Sequence, residues 1–228
     1  LLKPGQRVVV MGPTGTPTHI PHNEHVLLAG GGLGNAVLFS ISKALKSNGC
    51  KVIYFAGYKR GEDLYKREEI EEATDLVIWS TDSGSEIVPN RPQDIHFRGN
   101  IIEAILHYQN KESANKLIPL ESVRRIIAIG SDGMMRAVKD ARHTSLKPFL
   151  REHIAIGSIN SPMQCMMKEI CAQCLQKQIN PLTGEESTPV FSCFNQDQEL
   201  DRVDFTNLRS RLRVNSVLEK LGNSWLTY

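Results

Sequence analysis

The sequence predicts an α/β protein built on an open parallel sheet with helices on both faces, followed by a small cysteine-rich module. Three observations carry that expectation. Short apolar runs recur along the chain, each of strand length and each separated from the next by a helix-spaced or polar stretch. The first run ends in a glycine-rich turn that opens a helical pattern. Four of the five cysteines then cluster in the last third of the chain, where the composition changes.

Val26-Leu27-Leu28-Ala29 is a continuous apolar run ending in glycines, which suits a central strand buried on both faces. After Gly30-Gly31-Gly32-Leu33-Gly34, residues Ala36, Val37, Leu38, Ile41 and Leu45 recur at helical spacing until Asn48-Gly49 supplies a stop. Val52 to Gly57 is β-branched and aromatic and predicts a second strand. The acidic segment Glu62 to Glu72 predicts a solvated helix leading to a third strand, Leu76 to Thr81. A helix from about Asn100 to Gln109 precedes a fourth strand at Arg125 to Gly130, and a helix around Met134 to Arg142 precedes a fifth at His153 to Ile156. Strands alternating with helices pair in parallel through right-handed crossovers. Ser158 to Asn195 is rich in Met, Cys, Gln and Pro and shows no period, so it is expected to be loops organised by something other than a core. From Asp204, residues Phe205, Leu208, Leu212, Val217, Leu218 and Leu221 fall on one face of a terminal amphipathic helix expected to pack on the sheet domain.

The 228 residues are 40% hydrophobic and 23% charged, an ordinary globular composition. With 27 basic against 25 acidic side chains the formal net charge is +2, which gives no field suited to nucleic acid or an anionic membrane. No apolar run reaches the roughly 20 residues of a membrane span, and the start lacks a secretory signal pattern, so a cytoplasmic protein is expected. Val8-Val9-Val10-Met11 is an extended segment with no earlier strand to pair with, and predicts a fragment that begins late in an upstream domain. The patterns HExxH, GxSxG and GxxxxGK[ST] are absent, which removes the minimal chemistry of zinc proteases, α/β-hydrolases and P-loop enzymes.

The glycine turn is a candidate pyrophosphate site. Without Cβ atoms the backbone lets phosphate oxygens reach free N–H groups at the N-terminus of the following helix. Gly30, Gly31, Gly32, Leu33 and Gly34 depart from the full GxGxxG pattern because position 35 is Asn, and the same glycines also suit a tight turn with no ligand. Asp82, after the third strand, and Gly130, Ser131, Asp132 and Met134, after the fourth, lie where open parallel sheets bind ligands. They read equally as ordinary turn chemistry. The end of the second strand carries no ribose-binding carboxylate but Lys59-Arg60, which suits a 2′-phosphate.

Cys165, Cys171, Cys174 and Cys193 are separated by five, two and eighteen residues, close to the spacing of plant-type [2Fe–2S] sites. Three closely spaced thiolates let one loop enclose most of a cluster. A structural four-cysteine zinc site uses the same ligands, and unliganded thiols are the third reading. Cys50 is expected to be an incidental buried thiol, and His19, His22 and His25 to lie in a solvated loop.

Taken in order, Lys3-Pro4-Gly5 with Gly12-Pro13, Leu27 to Gly34, Thr81-Asp82-Ser83-Gly84, Gly130 to Met135 and the four cysteines resemble the ferredoxin-NADP reductase superfamily. Within it they resemble the iron–sulfur electron-transfer subunits of class B dihydroorotate dehydrogenases. Departures are Asn35-Ala36-Val37 after the glycine loop, Ile129-Gly130-Ser131 where many relatives have Cys-Gly-Pro, and five rather than four residues in the first cysteine interval. The cysteine segment with Phe191 to Asp197 also looks like reductase modules fused to glutamate-synthase-type flavoproteins.

The resemblance implies four parts. Residues 1–22 would end an upstream flavin-binding barrel, 23–158 would bind NAD(P), 159–200 would hold the [2Fe–2S] cluster and 201–228 would form the terminal helix. FAD would sit mainly on the missing upstream domain, and electrons would pass between nicotinamide nucleotide, FAD and cluster to a partner subunit or fused flavoprotein domain. The family leans to NADH where Lys59-Arg60 suits NADPH, so the choice of nucleotide stays open. The alternative is a non-catalytic nucleotide-binding scaffold with a structural zinc.

Overall fold

The computed structural model describes the chain except residues 1, 11, 13, 14, 112–115, 160–168, 171, 173, 227 and 228, together with the side chains of 214–216, 218 and 219. Five parallel crossover strands appear where the apolar runs predict them: β1 His25–Gly31, β2 Lys51–Arg60, β3 Leu76–Ser83, β5 Val123–Ile129 and β6 Ile154–Ser158. Two short edge strands, β4 Ile95–Arg98 and β9 Asp197–Glu199, complete a seven-stranded sheet of order β4-β3-β2-β1-β5-β6-β9. All neighbours pair in parallel except β6 and β9. Neither edge strand was expected, for the same reason. Ile-His-Phe-Arg and Asp-Gln-Glu are too short and too polar to show a period, and pairing with a pre-formed neighbour makes them strands.

The central strands are buried on both faces, which is why they read as continuous apolar runs. Leu27, Ala29, Ile53, Phe55 and Ile78 point to a core closed by α3 Ile101–Asn110, α4 Asp132–His143 and the start of α5 Phe205–Leu226. Val26, Leu28, Val52, Tyr54, Val77 and Trp79 point to a second core under α1 Asn35–Ser47 and α2 Arg67–Glu72. Local signals set the helix ends. Asn100 caps α3 in a capping box with Glu103, and Ser131 caps α4 by accepting from the Met134 amide. Gly49, at φ +76°, turns the chain out of α1.

Three expectations change. The acidic segment is helical only over Arg67–Glu72, because Gly61–Asp63 forms a 3₁₀ turn and Lys66 has φ +55°; Ile70 and Glu71 are buried, so this helix has a packed face. Part of the segment expected to be loops is an antiparallel hairpin, β7 Leu175–Ile179 with β8 Glu186–Phe191. Its buried β7 positions are Gln176 and Gln178, and Gln178 donates to Gln198 Oε1 at 2.6 Å. Inward glutamines hide the alternation that hydropathy would read. Among its described side chains the terminal helix packs through Phe205, Leu208 and Leu212, whereas Val217, Leu221, Trp225 and Leu226 are 56–80% exposed. The apolar face outlasts the sheet domain beneath it. His25, finally, lies in β1 with its ring bonded to Ser122 Oγ at 2.6 Å, while Cys50 is buried as expected.

A charged cluster ties the chain after β9 to the C-terminal end of α4. Asp201 Oδ1 accepts from Arg142 Nη1 at 3.1 Å and lies 2.8 Å from His143 Nε2, while Arg142 Nε donates to His153 Nε2 at 2.7 Å. Burial opposes ionisation of Asp201, yet His143 and Arg142 together hold its carboxyl below the usual range. His153 is held neutral, its pKa lowered first by burial and then by the Arg142 guanidinium, outweighing the raising effect of its contact with the Arg151 carbonyl. Because the unfolded chain takes up this proton more readily than the folded one, His153 erodes stability as pH falls below its ordinary 6.5. In His153→Gln, whose amide oxygen can still accept from Arg142, we expect urea midpoints to fall less steeply between pH 7 and about pH 5.5 than in the parent. Parallel pH profiles for the two proteins would remove His153 as the cause.

Candidate functional site

The carboxyl ends of β1, β2, β3 and β5 converge on a cleft of about 740 Å³, within the range of small-molecule sites. Gly31 and Gly32 form one wall, Gly57, Tyr58 and Lys59 the end of β2, and Ser80 and Asp82 the end of β3. Asn100, Ile101 and Ile102 at the start of α3, with Ser131, Met134 and Ala137 of α4, close the opposite side. Two capped helix N-termini and a glycine turn therefore face one cavity, each offering positive partial charge to an anion.

The glycines of the turn divide by role. Gly31 and Gly32 line the cleft, and Gly32 needs its φ of +54°, a conformation costly for side-chain-bearing residues. A Cβ on Gly30 would collide with Asn35, Leu38 and Tyr54, and one on Gly34 with the Ile129 carbonyl. A Cβ on Gly130 would meet Met134 and the backbone of Gly31. These three permit close packing and are not part of the cleft lining. Leu33 points outward, and Asp132 sits in the first turn of α4 beside the cleft without lining it.

Asn35, which breaks the glycine motif, is fully buried and makes the turn. Its amide donates to the Gly57 carbonyl at 3.0 Å, and its Oδ1 accepts from the Tyr54 hydroxyl at 2.7 Å. The side chain thus pins the start of α1 to β2. Burial pushes the Tyr54 hydroxyl well above its usual pKa, so it remains a donor.

No carboxylate stands at the end of β2, and Asp82 on the next strand lines the same cleft as Lys59. Arg60, the other basic residue at that edge, is held by Asp63 with contacts of 2.9 and 3.4 Å. The Ser80 hydroxyl is buried, lines the cleft and has no hydrogen-bond partner among the described residues. Asn100 had a legible signal in its N-cap pattern, but nothing local marks Ser80, Ile102 or Ala137 as neighbours of the glycine turn.

Of the four cysteines, Cys165 and Cys171 lie outside the described residues. Cys174 and Cys193 are both buried and flank the open end of the β7/β8 hairpin, where Leu175 pairs with Phe191. The Ser192 amide and hydroxyl both donate to the Cys174 carbonyl, at 3.1 and 3.0 Å, which fixes the two cysteines on one end of the hairpin. No metal-ligand group is present among the described residues. No described helix is long and apolar enough to cross a membrane.

No family model matches the chain. It is 29% identical over 222 residues to an uncharacterized protein of Rickettsia prowazekii, a match covering 97% of this chain and 22% of that protein. It is 38% identical over 86 residues to a homolog of the dihydroorotate dehydrogenase B (NAD(+)) electron transfer subunit from Thermotoga maritima, covering 37% of this chain and 30% of that protein. With the corresponding subunit of Enterococcus faecalis it shares 27% identity over 192 residues, covering 83% of this chain and 63% of that one. The chain thus spans between about a fifth and somewhat under two thirds of these relatives. In structure it resembles an NADH-dependent reduced ferredoxin-NADP oxidoreductase, with a TM-score of 0.70 and 22% identity over 97% of this chain and 68% of that one, a likeness of fold.

Removing the Asn35 side chain strands a buried hydroxyl and a carbonyl. We expect Asn35→Ala to cost about 1–3 kcal/mol in urea denaturation. Tyr54→Phe made on top of it should cost less than Tyr54→Phe alone, because the partner is already gone. Additive losses would show that the three groups do not act as one junction.

Proposed function

We propose, on the premise that this chain is a relative of the dihydroorotate dehydrogenase B electron-transfer subunits in the ferredoxin-NADP reductase superfamily, that it is the nucleotide-binding and iron–sulfur part of a flavin-dependent oxidoreductase. The observation that carries the reading is the single cleft into which the glycine turn, Ser80, Asp82 and the capped start of α4 all open. The glycine turn suits a pyrophosphate, since Gly31 and Gly32 leave room for phosphate oxygens against backbone N–H groups. The adenosine end then runs toward β3 and α3, where the unpartnered Ser80 hydroxyl and the Asp82 carboxylate suit ribose hydroxyls. The nicotinamide end runs toward Ser131 and Met134, leaving its reactive face to a flavin domain outside this sequence.

Asp82 decides the nucleotide in this reading. A carboxylate accepts hydrogen bonds from a ribose diol and repels a 2′-phosphate, and Arg60 is already engaged by Asp63. The cleft therefore suits NADH over NADPH, whereas Lys59-Arg60 read as sequence suited the phosphate. Cys165, Cys171, Cys174 and Cys193 would hold a [2Fe–2S] cluster. The donor chemistry fits, since the two described thiols are both buried at the same end of the hairpin, where thiolates are the ligands such a cluster takes. Flavin and cluster, when bound, would divide the two-electron hydride equivalent into single electrons. The four-part division at 22/23, 158/159 and 200/201 belongs to the same proposal. The exposed Val8 to Val10 supports an upstream flavin-binding partner for that segment. The acceptor is a partner subunit or fused flavoprotein domain.

Calorimetry at matched salt tests the nucleotide. The 228-residue chain should bind NADH more tightly than NADPH, and Asp82→Asn should narrow the gap. Gly31 has an extended backbone that accepts Val, and a side chain there fills space beside Met134, so Gly31→Val should weaken NADH binding about tenfold or more. Equal binding by parent and Gly31→Val would take the glycine turn out of the site.

Anaerobic reconstitution tests the cluster. The chain should take up two irons and two sulfides with visible absorption, and Cys174→Ser should lose or shift that spectrum while keeping the circular dichroism of the sheet domain. A colourless protein holding stoichiometric zinc would instead establish the structural-metal alternative.

A further inference from the structure

Tyr65 contacts the glycine turn from a segment that belongs neither to the sheet nor to the cleft lining. Its hydroxyl lies 3.5 Å from the Gly32 carbonyl oxygen and 3.4 Å from that of Leu33. The ring stands edge-on to Tyr58, a cleft residue, with centroids 6.1 Å apart and planes at 89°. Tyr58 in turn lies 6.5 Å from Trp79, and the Arg67 guanidinium covers Trp79 at 5.9 Å. Lys66, the next residue, has φ +55° at the start of α2 and no side-chain cap, so the backbone directly after Tyr65 is strained.

The turn has a specific need for such a contact. A turn that presents N–H groups to an anion must point its carbonyls elsewhere, and Gly32, with no Cβ and φ +54°, can rotate its peptide the other way at little cost. A rotated peptide would aim a carbonyl dipole at the phosphate. We propose that Tyr65 is a positioning residue that holds the Gly32 and Leu33 carbonyls away from the cleft and so keeps the turn in its anion-accepting form. The inference rests on the nucleotide reading above and deepens it. The hydroxyl acts through the turn and does not touch the nucleotide. Burial raises the Tyr65 pKa, with Ala36 partly offsetting the rise, so the group stays a protonated donor across the working range.

The test is Tyr65→Phe in the full 228-residue chain, titrated with ADP, NADH and adenosine and monitored by amide resonances. The variant keeps the ring contact with Tyr58 and removes only the hydroxyl. Dissociation constants for ADP and NADH should rise about fivefold, as for one lost hydrogen bond, while adenosine, which has no phosphate, binds as before. The Gly32, Leu33 and Gly34 amides should shift in the free variant and the melting temperature should hold. Unchanged ADP affinity overturns the proposal, and so does an equal loss on ADP and adenosine, which would mark a general loosening of the domain. A parent chain that fails to bind ADP overturns the nucleotide reading itself and this inference with it.

Discussion

The junction at Asn35 is the constraint on which the site depends. β1 must leave the sheet, turn within a few residues and start a helix that packs back on the same sheet, and the turn has almost no room. Gly30 and Gly34 allow the approach sterically, and Asn35 anchors it from within, by bonding the Gly57 carbonyl on the neighbouring strand and the Tyr54 hydroxyl in the core beneath. The glycines confer freedom and Asn35 removes it. Without such a pin, a turn as flexible as Gly30-Gly31-Gly32 would visit conformations that do not present its amides to a ligand.

The two cores on either side of the sheet place the rest of the cleft around that junction. Packing of α3 on Phe55 and Ile78 brings the Asn100 cap over the ends of β2 and β3, and packing of Met135 and Val138 brings the Ser131 cap over β5. Neither cap was shaped by the turn, yet both face it, because every crossover in a parallel sheet returns its helix start to the carboxyl edge. α4 also has a second attachment. Its C-terminal end holds Asp201 through Arg142 and His143, so one rigid helix spans from the cleft to the chain that follows the cysteine hairpin. The cleft and the chain after the cysteine hairpin are thereby fixed against the same element.

The relatives cover this chain unevenly, and the pattern is informative about what varies. The longest match runs nearly the full length of the chain but a minor part of the Rickettsia protein, whereas the subunit from Enterococcus faecalis matches over most of both. A stretch similar to nearly the whole of this chain thus makes up about a fifth of the Rickettsia protein.

What the sequence determined by itself is whatever depends on near neighbours. Doubly buried strands appear as apolar runs, the glycine turn and the stop at Asn48-Gly49 follow from backbone freedom, and the four cysteines are conspicuous by spacing. Tertiary structure alone decided the rest, because it depends on what lies across the sheet. Asn35 reads as a broken motif until Gly57 and Tyr54 appear beside it. Asp82 shares a cleft with Lys59 because adjacent parallel strands end side by side. The cysteine hairpin escaped notice because its buried positions are glutamines whose partner, Gln198, is some twenty residues away, and Tyr65 because the carbonyls it meets are more than thirty residues earlier in the chain. Local periodicity records burial, but it carries no information on which distant group satisfies a buried polar atom, and in this protein those pairings build the site.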